Sequence, residues 1–475
     1  MKKEPVRWSV ASGRGVTWRT ALPETGQSGV TVAKGRVFLT SMKPLTDARA
    51  RREGSDIVGY CIDAHTGKML WEVEIAGSEP SPYAYGFSDC TSPTPVTDGR
   101  RVWFVNSGGK IVCCDAQTGK ILWQRSWKPT TGRPFNKQFE PILYKNVLLN
   151  VEPRPEGDPK READPWNWLV ALDATTGKLL WTGEDALTHY NTPTLGTLPG
   201  GDVGVLLGRG GHHDVPEKPI GASWIRLKDG KRVWQVVLPG KALYNMAQTE
   251  KLAFWLDEDH GTHTVLDKFT GKVLAVQNLA QNADVRRWEN GKYVFEPNVD
   301  LKTRNVRVFP AWFSNIAIGE WHWFLCFSQT GNEYGVGPCG PLHSVGRVNV
   351  KTGKTEYLEV PTAPGVYNTS VAASTINSRG IDAANEDRSK RDGWFWNFDA
   401  SPICLGGRIY WTLMNGVTYV VDSTAKTLDE RAILSVNDLG KPGDAWCLSA
   451  PGFDGKSLYY RTMRELVRIN SSLAS

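Results

Sequence analysis

The apolar positions of this chain recur in short runs, mostly β-branched or aromatic, and each run is cut off by a turn signal before a helical period can develop. The clearest instance is the stretch GKIVCCDAQTGKILW, from Gly109 to Trp123. Ile111, Val112 and Cys113 form a β-prone run. Asp115 can accept backbone N–H groups two residues on, and Gly119 supplies a positive φ; Ile121, Leu122 and Trp123 then return as a second strand. A tryptophan on a lone hairpin would leave about 150–250 Å² in water. The pattern therefore predicts that each hairpin packs against another sheet.

Weaker copies run the length of the chain, over residues 61–71, 171–181, 227–234, 266–274, 350–354 and 421–426. The turn glycines fall at 67, 119, 177, 230, 271 and 353, so most spacings are about 40 to 60 residues, the range of propellers and solenoids. A second hairpin lies upstream of several copies, at residues 30–39, 94–104, 142–149 and 403–411. Each unit thus has four strands, A to D, with a KGR-type A–B turn and a TGK-type C–D turn. The last unit, from residue 452, supplies A, B and C and then stops, whereas residues 16–22 carry a Trp at a strand D position. Pairing this N-terminal strand with the last strand C would bury both edges. The expected fold is an all-β, eight-bladed β-propeller with four antiparallel strands per blade. It forms one domain over 1–475, with blades near 24–76, 88–127, 138–183, 190–238, 242–280, 310–361, 397–435 and 446–472 plus 14–22.

Composition agrees: 40% hydrophobic residues with 48 Gly, 28 Pro and 20 Trp is a turn-rich β composition in which the repeat demands tryptophan. The net charge of +6 is spread without a Lys/Arg-rich run, so the footprint of a nucleic-acid binder is missing. No apolar stretch is long enough to span a membrane, and MKKEPVRW at the start has charges but no apolar segment after it. The eight cysteines show no CxxC or metal-ligand spacing.

The AxDAxTGKxxW repeat, the eight blades and the strand-exchange closure resemble the PQQ-like propellers, over about residues 14–472. That group includes quinoprotein alcohol dehydrogenases, the outer-membrane assembly lipoprotein of the β-barrel machinery, and secreted bacterial proteins. The resemblance implies the fold and an extracytoplasmic location, periplasmic or secreted. It leaves activity open, because the repeat residues are structural. Some quinoprotein dehydrogenases hold a vicinal disulfide against the quinone. Here Cys113 and Cys114 sit inside strand C, where alternation sends their side chains to opposite faces. Nor is there a residue-by-residue match to the calcium-binding carboxylate and amide set or to the catalytic Asp loop. PQQ is therefore not expected, and no other cofactor is implied beyond a divalent cation.

The B–C and D–A connections hold nearly all the extra length, at 41–57, 76–90, 127–138, 151–166, 182–190, 208–221, 280–309, 328–343 and 362–397. Both kinds emerge on one face of a propeller, which predicts one plain face and one built-up functional face. Six of eight histidines map there: His189, His212, His213, His260, His263 and His343; His65 lies in a plain-face turn and His322 in a strand. His189, Tyr190 and Asn191 end one loop, and Arg209, His212, His213 and Asp214 belong to a Gly-rich loop of the same blade. A base, a phenol and a charge-neutralising Arg are the parts needed to abstract a proton beside a carboxylate. His189, Tyr190, His212 and His213 are the expected acid and base, and Arg209, Asn191, Asp214 and His343 the substrate contacts.

Aromatics interleave with charge in the same loops: Tyr83, Tyr85, Phe87, Trp166, Trp168, Trp394, Phe395, Trp396 and Trp446. Flat faces beside Arg or Lys suit sugars bearing anionic groups. Trp394, Trp396 and Trp446 are the expected stacking residues, and the expected activity is lyase-type chemistry on an acidic polysaccharide or oligosaccharide. Asp257, Asp259 and His260 offer donors for a divalent cation. A non-catalytic protein-binding scaffold and a PQQ/Ca²⁺-dependent dehydrogenase are the alternatives.

Overall fold

The computed structural model describes the chain except residues 1–3, 46–52, 79–80, 83–88, 130–139, 160–166, 187–190, 211–218, 241–244, 305–307, 309, 327–343, 361–375, 379, 381–399, 442–444 and 471–475. Eight antiparallel sheets follow one another in the order A-B-C-D. In blade 2 the strands are Val96–Thr97, Arg101–Asn106, Lys110–Asp115 and Ile121–Ser126. Blade 8 takes Gly452–Phe453, Ser457–Arg461 and Glu465–Asn470 from the C-terminus and Val16–Ala21 from the N-terminus, Arg19 facing Val467. The ring closes as the repeat pattern predicts. Strand D is the outer edge, with alternating exposure in Ile121–Ser126, and the core lies between strands B and C of adjoining blades.

The repeat residues hold the blades together. In the C–D turn of blade 2, Asp115 accepts the N–H of Gln117 and Thr118 and the Thr118 hydroxyl at 2.8–3.0 Å. Gly119 follows at φ 75°. A Cβ there would lie 2.7 Å from Trp71, the strand D tryptophan of blade 1. Each such tryptophan is seated on the turn glycine of the next blade: Trp18 on Gly67, Trp123 on Gly177, Trp181 on Gly230 and Trp234 on Gly271. The indole N–H of Trp123, Trp181 and Trp234 donates to a carbonyl of that blade at 2.9–3.0 Å. The motif read from the sequence is thus a staple between neighbours as well as a hairpin.

Three joints depart from it. Between blades 6 and 7, buried Arg347 stacks on Trp321 and Trp323 and donates to the Ala425 and Lys426 carbonyls. Between blades 7 and 8, Trp8 fills the gap, packed on Tyr410 and Tyr460 with its backbone N–H on Asn437. The joint between blades 5 and 6 uses no indole and is described further below.

One rim segment differs from expectation. Within 280–309, read as a loop, Ala283–Glu289 and Lys292–Val299 form a hairpin. Its first strand pairs parallel with Thr355–Glu359, the strand D of blade 6, making that sheet six-stranded. No described helix is long and apolar enough to cross a membrane.

Candidate functional site

With strand A innermost, each D–A linker delivers its last residues to the channel on the loop face. The linkers of blades 1 to 3 are laced together there. Gln27 N–H donates to Thr91 Oγ1 at 2.8 Å, Gly29 N–H to Thr94 Oγ1 at 2.9 Å, and Thr94 N–H to Glu140 Oε2 at 2.9 Å. Thr91 in turn donates through N–H and Oγ1 to Asp89 Oδ1. Both Glu24 oxygens accept backbone N–H groups at 2.7 Å, Oε1 from Thr25 and Oε2 from Ser378.

Into this wall comes Arg461, the last residue of strand B in blade 8. Its Nη1 donates to Ser28 Oγ at 2.7 Å and to Thr40 O at 2.6 Å, and its Nε to Thr462 O. Nη2 is buried with no hydrogen-bond partner among the described residues, and a Cβ on Gly26 would come within 2.4 Å of it. Glu24, Asp89 and Arg461 are 0%, 3% and 2% exposed. Burial pushes the Asp89 carboxyl up to about 6, against the Thr91 hydrogen bonds and the Arg461 charge and with the help of the Glu24 charge. Burial likewise pulls Arg461 down to about 10. The result is two buried carboxylates and one buried guanidinium with a donor to spare, at the loop-face end of the channel.

The sequence reading missed this cluster. A signal was present: Glu24 and Asp89 each stand seven residues ahead of strand A, which begins at Thr31 and at Val96.

Of the residues singled out from the sequence, His189, Tyr190, His212, His213, Asp214, His343, Trp394 and Trp396 lie outside the described residues. Asn191 is buried and its Oδ1 accepts the Gly208 N–H at 2.8 Å. Arg209 is 3% exposed and paired at 2.9 Å with buried Asp185, which also holds Arg232 at 2.6 Å. Its charge is paired across the joint to Asp185 in strand D of blade 3, Leu179–Ala186. Trp446 is buried in the core shared by blades 6 to 8, with no face open for stacking.

Asp257 is fully buried; it caps the N–H of Asp259 and approaches His260 Nδ1 at 2.6 Å. Among the described residues no three His, Cys, Asp or Glu side chains gather where they could hold a metal. His263, expected on the loop face, is instead the second residue of strand C in blade 5 and buried between blades. Cys113 and Cys114 are unbridged and face different cores, Cys113 beside Trp103 and Cys114 beside Phe38.

The family described as outer membrane protein assembly factor BamB matches residues 2–136 and 54–250, together just over half of the chain. The chain belongs to this family of PQQ-like propellers. It is 30% identical over 174 residues to a polyvinylalcohol dehydrogenase of Pseudomonas sp, a match covering 35% of this chain and 24% of that protein. It is 25% identical over 139 residues to the dehydrogenase subunit of a quinone alcohol dehydrogenase of Komagataeibacter europaeus, covering 28% and 18%. The matches therefore span a quarter or less of these relatives' length. Among solved structures, a quinohemoprotein alcohol dehydrogenase of Pseudomonas putida HK5 superposes with a TM-score of 0.54 over 97% of this chain and 76% of that one, at 11% identity. The enzyme of the same kind from Comamonas testosteroni gives 0.54 over 96% and 76%, at 12% identity. At such identity the superpositions show the fold.

These relatives correct two expectations. They are dehydrogenases of alcohols, which overturns lyase chemistry on an acidic glycan and the carbohydrate ligand that went with it. Their quinone-linked names also overturn the expectation that no cofactor is needed and that PQQ is unlikely. The physical reason for the first correction is that a loop position does not by itself make a histidine or an aromatic reactive; Arg209, the expected charge neutraliser, already has an internal partner in Asp185.

Proposed function

We propose that this protein is an extracytoplasmic, quinone-dependent alcohol dehydrogenase whose cofactor seats at the loop-face end of the channel, against Glu24, Asp89 and Arg461. The observation that supports it most is the buried Arg461 Nη2, which has no partner among the described residues, beside two buried carboxylates. A polycarboxylate quinone with a hard divalent cation asks for that set: a cationic N–H donor for an anionic oxygen, and carboxylate oxygens for the ion. The residues present fit the group. The names of the curated relatives support the same class.

When bound, an ortho-quinone beside a divalent cation would take up the C–H hydrogen of the carbinol carbon with its two electrons, as a hydride equivalent. The chain's own residues do the rest. Arg461 binds and orients through Nη2 while Ser28 and Thr40 fix its plane. Glu24 is held by two backbone N–H groups and would hold the cation through its remaining lone pairs. Asp89, poised near 6, holds the hydroxyl proton of the alcohol at Oδ2, since its Oδ1 is committed to Thr91.

The test is reconstitution of the purified protein with PQQ and Ca²⁺, followed by an absorption spectrum and dye-coupled oxidation of primary alcohols, secondary alcohols and polyvinyl alcohol. Uptake should alter the spectrum, and Glu24→Gln should weaken it by roughly tenfold or more. An unchanged spectrum rejects the reading. A second reading, a protein-binding scaffold, is favoured by the assembly-factor description of the family. It predicts a stoichiometric partner in pull-downs and no cofactor uptake.

A further inference from the structure

The joint between blades 5 and 6 lacks the tryptophan staple: Ala275 stands in strand D where the preceding blades have Trp234, Trp181 and Trp123. Gln277, two residues on, takes over. Its Nε2 donates to the Asn349 and Val350 carbonyls of blade 6 at 3.3 and 3.1 Å. Its Oε1 lies 2.8 Å from His263 Nδ1, His263 Nε2 lies 2.9 Å from His322 Nδ1, and His322 Nε2 lies 3.0 Å from Asn315 Oδ1. The four side chains form one chain across the joint. Phe254 covers both imidazoles, with ring centroids at 5.3 and 5.1 Å. His263 and His322 are 0% and 1% exposed.

The partners assign the protons. Gln277 spends its N–H groups on two carbonyls, so Oε1 accepts and His263 Nδ1 carries hydrogen. In the neutral ring His263 Nε2 then accepts from His322 Nδ1–H, and His322 Nε2 is left as a lone pair facing the Asn315 carbonyl oxygen. Asn315 Nδ2 is meanwhile buried with no partner among the described residues. Turning the Asn315 amide over repairs the mismatch for a neutral pair. Placing a proton on His322 Nε2 repairs it for the amide as it stands. The chain therefore has one place for an extra proton.

Among the described residues, no charged side chain hydrogen-bonds to the pair to balance that charge. Asp257 is committed to its turn and to His260, Lys268 to the Thr249 carbonyl, Arg347 to Glu356 and blade 7, and Glu320 and Lys351 to each other. None of these charged groups on the flanking strands and turns hydrogen-bonds to either imidazole.

We propose that the joint between blades 5 and 6 is an acid-sensitive seam of the ring, closed while the His263–His322 pair is neutral and opened when the pair takes up a proton. Burial holds His263 down at about 4 and His322 well below the ordinary imidazole value, where the His263 charge also opposes protonation. Both folded values lie below those of a hydrated imidazole. The closed joint is thus fully favoured above about pH 6.5, and loses that preference as pH falls from there toward 4, by up to roughly tenfold per pH unit for each proton taken up.

Hydrogen–deuterium exchange of the intact protein, corrected for intrinsic rates, tests this between about pH 7 and pH 4.5. Opening of Thr262–Asp267 and Trp321–Cys326 should rise by about tenfold or more on acidification. Lys110–Asp115 and Asn167–Asp173, which flank the Trp123 staple, should change much less. An equal response at both joints overturns the proposal, whether or not any variant folds. A His322→Gln protein that folds and keeps the selective acid response also overturns it; loss of that response supports it.

Discussion

Gly119 shows how one position is held from two sides. Its φ of 75° closes the C–D turn, and its bare Cα admits the Trp71 ring that joins blade 1 to blade 2. Gly35 has the same φ of 75° but nothing within 4 Å of a Cβ, so it carries only the backbone requirement. Gly35→Ala is expected to cost about 1 kcal/mol, and Gly119→Ala at least 1–2 kcal/mol more, because the indole must shift. Urea unfolding of the two variants measures the difference; equal losses would show that the tryptophan seat contributes nothing. The Asp, Gly and Trp of each turn were legible because they act within one hairpin or on its neighbour. Glu24 and Asp89 share a place seven residues ahead of strand A, but nothing local ties them to Arg461 at a strand end, and only ring closure brings residue 461 beside residue 28. His263 and His322 are 59 positions apart and equally invisible as a pair.

At the scale of elements, the hairpin at 283–299 is the instructive case. Its signal was in the chain: Asn290 and Gly291, at φ 50° and 81°, are an Asn-Gly turn between alternating residues. Its docking was not. Parallel pairing to Thr355–Glu359 covers an edge that no described strand covers in the other blades. The chain had been divided by the repeat, and the segment fell between two repeats. Removing 283–299 and bridging the gap with a short Gly-Ser link should expose the blade 6 edge and promote self-association. Light scattering would register it, and a monodisperse monomer of unchanged melting temperature would show that the edge needs no cover.

For the whole molecule, closure is the decisive feature. Residues 4–22 supply the last strand D, the Trp18 staple onto blade 1 and the Trp8 packing between blades 7 and 8. Deleting 1–22 should therefore open the ring, lowering the melting temperature by of the order of 10 °C and broadening the transition. A sharp, unshifted transition would mean that the remaining blades close without it.

The sequence by itself determined the blade, the count of eight and the strand exchange. Those follow from short-range turn chemistry and from the demand that each tryptophan be buried, repeated often enough to read. Tertiary structure alone decided where unlike residues meet: which linker feet converge on the channel, which joint is sealed by imidazoles instead of indole, and which loop folds back as an edge. Such contacts join positions hundreds of residues apart through the closed ring, and no local period of apolar and polar positions records them.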